Sequence, residues 1–117
     1  MAKYECRING HFDEVWQMCT EAIGRSSTAS REDGSDYMLG GVRVAVHVFE
    51  RYSVFGGNRV SLTLALVGEG NNLFLTAITA GGSKATFFKI NTVGEEAFLK
   101  TLVVAIEERY PLQPGMP

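Results

Sequence analysis

The amino-acid sequence predicts an α+β fold: a two-layer sandwich in which a curved antiparallel sheet carries an N-terminal and a longer C-terminal helix on one face. Three observations lead there. Apolar residues alternate with period two around residues 4–8, 42–52 and 60–66, as in strands with one face buried. Two other segments, from His11 and from Thr92, space their apolar residues three and four apart, the stripe of an amphipathic helix. Glycine-rich stretches separate the alternating segments, as antiparallel hairpins require. The order that results is β-α-β4-α, with a further short strand before the last helix as an option.

Taking the elements in turn, Tyr4, Cys6 and Ile8 share one face of a first strand that Asn9-Gly10 ends. Phe12, Val15, Trp16, Cys19, Ala22 and Ile23 then form one helical stripe, with Asp13 and Glu14 in the first turn and Gly24 at the stop. Ser26–Glu32 reads as an edge strand, Asp33-Gly34 as a turn or bulge, and Tyr37-Met38-Leu39 as its resumption before Gly40-Gly41 closes a hairpin. Val42–Tyr52 is the clearest strand. Its even positions carry Val42, Val44, Val46 and Val48, and its odd positions Arg43, Ala45, His47, Phe49 and Arg51. The valine row is the expected buried face and the mixed row the open one.

Gly56-Gly57-Asn58 is the next expected turn, Val60–Leu66 the next strand, and Gly68–Asn72 the loop before the strand Leu73–Ala80. Gly81-Gly82-Ser83 turns again toward a short strand over Ala85–Ile90. Thr92 and Glu95 have the spacing of a capping box opening the final helix, whose buried stripe is Phe98, Leu99, Leu102, Val103, Ile106 and Tyr110. Residues 1–110 read as a single domain, and 111–117, with Pro111 and Pro114, as a loose tail.

Composition narrows the function classes. The 117 residues are 45% hydrophobic and 21% charged, which fits one globular domain and excludes disorder. Eleven Lys+Arg against 13 Asp+Glu leave a net charge of −2, which disfavours a protein built to grip phosphate backbones. The charged, alternating start has no apolar leader, and nothing approaches the roughly 18 to 20 apolar residues of a membrane span. Cytoplasmic localisation is the expectation. Cys6 and Cys19 sit at core-facing phases and read as buried thiols rather than a disulfide. Two cysteines and two histidines at these spacings make no zinc pattern.

No catalytic, cofactor-binding or metal-ligating set emerges. Gly68-Glu69-Gly70 leads into a strand rather than a helix, so it is a hairpin loop and not a phosphate loop. The residues left for function are those assigned to the open sheet face: Arg43, Ala45, His47, Phe49 and Arg51, with Ser61 and Thr63 on the adjacent strand. Arg43, His47 and Arg51 would form a strip able to contact an anion or carboxylate. The small, weakly polar residues among them suit a subunit interface, with a second copy as cover.

Three stretches carry a family resemblance. They are Val42–Val46 with Phe49–Ser53, Phe55–Leu62 continuing into Leu66–Asn71, and Phe88–Glu96. Together with the opening they resemble an uncharacterised family of short bacterial proteins, a domain of unknown function, over almost the entire chain. That likeness transfers no activity. The element order is similar to the TATA-box-binding-protein-like or small helix-grip arrangement, which bears on topology alone.

The reading that follows is a non-catalytic binding or interaction module, a homo-oligomer and first of all a dimer, with a small ligand as a further option. An enzymatic or ligand-binding helix-grip domain, with a cavity between the C-terminal helix and the sheet, is the alternative. Nucleic-acid binding through Arg43, Arg51, Arg59 and Phe49 would need a basic cluster that the composition does not supply.

Overall fold

The computed structural model describes residues 1–25, 29–52, 59–81 and 88–110, with backbone alone for 88–95. The order is β1 (Ala2–Asn9), α1 (Phe12–Gly24), β2 (Ser30–Leu39), β3 (Val42–Tyr52), β4 (Arg59–Glu69), β5 (Asn72–Gly81) and α2 (Phe88–Arg109). The strands form one antiparallel sheet in the spatial order β1-β5-β4-β3-β2. Both helices lie on one face, as the alternation and the two stripes predict.

The turns set the phase of every strand. Gly40-Gly41 joins Leu39 to its cross-strand partner Val42, and Gly70-Asn71 joins Glu69 to Asn72. Gly40 and Gly70 have φ of 62° and 60°, the left-handed conformation that the first position of such a tight turn demands. Directly opposed residues share a face. Because each loop holds an even number of residues, odd positions of one strand face the same way as even positions of the next.

The core sits between the sheet and α2. Val60, Leu62, Leu64 and Leu66 of β4 and Leu75 and Ala77 of β5 are fully enclosed, as are Phe98, Leu102 and Ile106 of α2. From α1, Val15, Cys19, Ala22 and Ile23 complete it. Cys6 and Cys19 are both buried free thiols. Burial pushes the Cys19 thiol up to about 12, helped by neighbouring Cys6, so both behave as small apolar residues.

Three expectations need correction. In β3 the buried residues are Ala45 and Phe49, not the valines. Phe49 lies opposite Leu62 and Ala45 opposite Leu66, so the odd row of β3 shares the face of the leucines of β4. Four valines outscore Ala and Phe in hydrophobicity, but the hairpin register decides the face. Second, Phe88–Ile90 belong to α2 rather than to a short strand, while residues 85–87 lie outside the described residues. Third, α2 is already running at Phe88, so Thr92 falls inside the helix and not at its N-cap.

Other expectations hold in detail. The polar segment is one edge strand, which starts at Ser30 rather than Ser26 (residues 26–28 lie outside the described residues), with a register shift between Arg31 and Asp33 one residue from the expected irregularity. The expected turn at 56–58, the turn residues Gly82 and Ser83 and the tail 111–117 lie outside the described residues.

Candidate functional site

The phase of β3 divides the sequence-predicted strip between two faces. Arg43, Ala45, His47, Phe49 and Arg51 point toward the helices, and Ser61 and Thr63 point away. On the helix side the polar members are absorbed by packing. Arg43 places its guanidinium 4.2 Å from the Phe12 ring centroid and bonds Asp13 at 2.6 Å. It also grips Asp36 through two nitrogens, at 3.0 and 3.4 Å. These bonds hold the Asp36 carboxyl below its usual range.

His47 meets the Trp16 ring edge-on at 4.8 Å and accepts a hydrogen bond at Nδ1 from the Arg31 Nε–H, at 3.0 Å. That bond needs an unprotonated Nδ1, so the ring is the neutral Nε2–H tautomer. Burial and then the Arg31 charge lower its pKa. Its cross-strand partner is Gly34, where a Cβ would stand 2.7 Å from Nε2. Phe49 is 5% exposed. Arg51 packs its guanidinium 4.5 Å from the Phe98 centroid, and burial lowers its pKa. A nucleic-acid platform of Arg43, Phe49 and Arg51 on an open face therefore does not form. The remaining candidate for it, Arg59, pairs with Glu50 at 2.9 Å.

The other face of the sheet is where side chains stand uncovered. Register places its residues in rows across the strands. One row reads Arg7, Phe74, Val67, Val44 and Tyr37 from β1 to β2; the next reads Glu5, Thr76, Ala65, Val46 and Ser35. A third reads Lys3, Ile78, Thr63, Val48 and Asp33. In these three rows the central strands are lined by valine, alanine, threonine, phenylalanine and isoleucine, and the charges lie on β1 and β2; beyond them Glu69 stands at one end of the face and the Glu50–Arg59 pair at the other. Among the described residues no element lies over this face. Val67 and Phe74 are each 37% exposed, Tyr37 49% and Leu39 73%.

At one end of the face Arg7, Val42, Val67, Glu69, Asn72 and Phe74 surround an open hollow of about 390 Å³. Its floor is apolar, and Arg7 and Glu69 supply charge of both signs at the rim. Among the described residues no three His, Cys, Asp or Glu groups gather as a metal site would require, and no helix is long and apolar enough to cross a membrane.

The model of a family of unknown function, DUF6054, matches residues 1–110. The chain belongs to this family. DUF6054 carries no assigned activity, so the match confirms the family resemblance of the sequence without adding a functional residue. Searches of curated proteins and of solved structures find no match. In this DUF6054 chain the site must be read from its own geometry, and the valine row of β3 is the part that sequence reasoning placed on the wrong side. The signal was present. Both rows of β3 carry apolar side chains, and a strand apolar on both faces within a sheet covered by helices on one side leaves a sticky face outward.

Proposed function

We propose that this protein is a non-catalytic interaction module that self-associates through the uncovered face of its sheet. One observation carries the reading: on the central strands half-buried Val44, Val46, Val48, Ala65 and Ile78 and exposed Val67 and Phe74 form a mainly apolar surface, broken by Thr63 and Thr76, and no described element covers it. With strands about 4.8 Å apart and residues rising about 3.4 Å, the three central strands and their three rows outline roughly 300 Å² of apolar centre, within a sheet face of roughly 600–700 Å². An apolar patch of a few hundred Å² is the size that often marks a functional surface on a monomer. The whole face, apolar centre and polar flanks together, approaches the roughly 800 Å² that each partner contributes to a stable complex.

The helix-side polar cluster supports the non-catalytic half of the reading. Arg31 is spent on His47, and Arg43 on Asp13 and Asp36, so these groups fasten α1 and β2 to the sheet rather than converge on a cavity. A second copy is the occupant the face fits best, because apolar strands flanked by charges of both signs can match their own image.

The expected result is a light-scattering mass of twice the 12.8 kDa chain at tens of micromolar protein. The melting temperature should rise with protein concentration, since dimerisation stabilises the fold by mass action. A single-chain mass together with a concentration-independent melting temperature would remove the proposal.

A further inference from the structure

Resting on that reading, we propose that the two protomers are related by a two-fold axis running parallel to the strands over β4, so that β2 of one copy lies on β1 of the other and its Tyr37 enters the hollow beside Arg7 and Phe74. Two in-plane axes bring the faces together with their strands aligned, the packing of a sandwich: one along the strands and one across them. Their consequences for the flanking charges are opposite.

An axis across the strands, through the row of Glu5 and Ser35, lays β1 over the partner's β1. Glu5 then meets its own copy, and Lys3 meets Arg7. Each is a like-charge contact, and such contacts select against a binding mode. An axis along the strands preserves the rows and exchanges the flanks, because β1 and β2 occupy opposite edges of the sheet. Lys3 then meets Asp33, Glu5 meets Ser35, and Arg7 meets Tyr37. At the flanks the charges become complementary, and an arginine faces an aromatic ring. The like charges that this axis brings toward each other, Glu69 and Arg59 with their own copies, stand at the two ends of β4, where the angle between packed sheets splays the strands apart.

The shape of the face agrees. Tyr37 projects from the β2 edge in the same row as Arg7 and Phe74, at the opposite end of it. The strand-parallel axis carries it to the hollow of about 390 Å³ that those two residues line. Leu39, one row further along the strand, arrives over Asn9, next to Asn72 on the same rim. The usual offset of about 30° between packed sheets moves the edge strands by roughly 5 Å, which long side chains such as Lys3 and Tyr37 span. Both ends of the interface are occupied twice, once by each copy, so the contact uses up the face of each protomer and closes at two chains.

Crosslinking distinguishes the axes. Arg7→Cys and Tyr37→Cys in one chain lie at opposite edges of the sheet, roughly 19 Å apart across five strands, too far for an internal disulfide. Cys6 and Cys19 are buried and should not compete. Packed sheets stand about 10 Å apart, beyond the reach of a disulfide, so the probe is a short bis-maleimide: with it the double variant should form a covalent dimer, whereas Glu5→Cys alone should not. A covalent dimer from Glu5→Cys and none from the double variant would overturn the axis and leave self-association standing.

A charge swap supplies an independent arm. Lys3→Glu and Asp33→Lys should each weaken dimerisation about three- to tenfold, and the two together should restore it. Additive losses would count against the axis. A protein that stays a single chain at every concentration removes this inference and the proposed function together.

Discussion

Gly34 and His47 show how one cross-strand pair fixes local chemistry. The ring sits against the glycine, meets Trp16 at its edge and is bonded by Arg31, so a side chain at position 34 has to displace it. Gly34→Val is therefore expected to destabilise the fold by about 1–3 kcal/mol. In a His47→Ala background most of that loss should vanish in denaturant titration, and full additivity would contradict the packing. His47 also makes stability depend on pH. Its folded pKa lies below the ordinary 6.5, so the unfolded chain binds the proton first. Stability is retained above about 6.5 and declines as pH falls through that value toward the lower folded pKa. Asp36 acts in the same direction, but only in the carboxylate range below it. The melting temperature should fall between pH 7.5 and 5.5, and His47→Gln should flatten that fall. A variant as steep as the parent would deny the role. The sequence marks His47 by its place mid-strand between Arg43 and Arg51, but not its contact with Gly34. Only the register reveals that contact between strands.

Within the elements, legibility followed periodicity. The stripes of α1 and α2, the alternation of β4 and the glycine turn at 40–41 each signal their structure locally, and these appear as expected. The start of α2 was less legible, because the Thr92–Glu95 spacing imitates a cap inside a helix that begins at Phe88. For β3 the alternation was plain but its phase was not, since the inward row holds Arg43, His47 and Arg51 beside Ala45 and Phe49. Aromatic rings of both helices cover those polar groups: Phe12, Trp16 and Phe98 receive Arg43, His47 and Arg51. Such snorkelling side chains defeat a simple count of apolar positions. Phase has a direct test. Phe49→Ala is expected to cost about 3–5 kcal/mol at any protein concentration. Val48→Thr, on the other face, should cost under about 0.5 kcal/mol in dilute protein. Its penalty should grow as concentration rises and the faces meet. Equal, concentration-independent losses would mean that both rows are buried within one chain.

At the scale of the whole molecule, one helical layer serves one face of a sheet whose strands are apolar on both. The enclosed leucines of β4 and the buried stripe of α2 account for the core, and the valines of β3 remain outside it. The DUF6054 model matches residues 1–110 and leaves the use of that outer face to physical argument. Its area, its apolar centre and its flanking charges all suit a second copy of the chain. Sedimentation velocity over a wide concentration range tests this most directly, with the parent compared to Val46→Lys on the uncovered face and Val104→Lys on the exposed side of α2. The account predicts a parent that shifts from one chain to two, an unchanged Val104→Lys, and a folded Val46→Lys that remains a single chain throughout. A parent that sediments as one chain at every concentration, or a Val46→Lys dimer as tight as the parent, would contradict it.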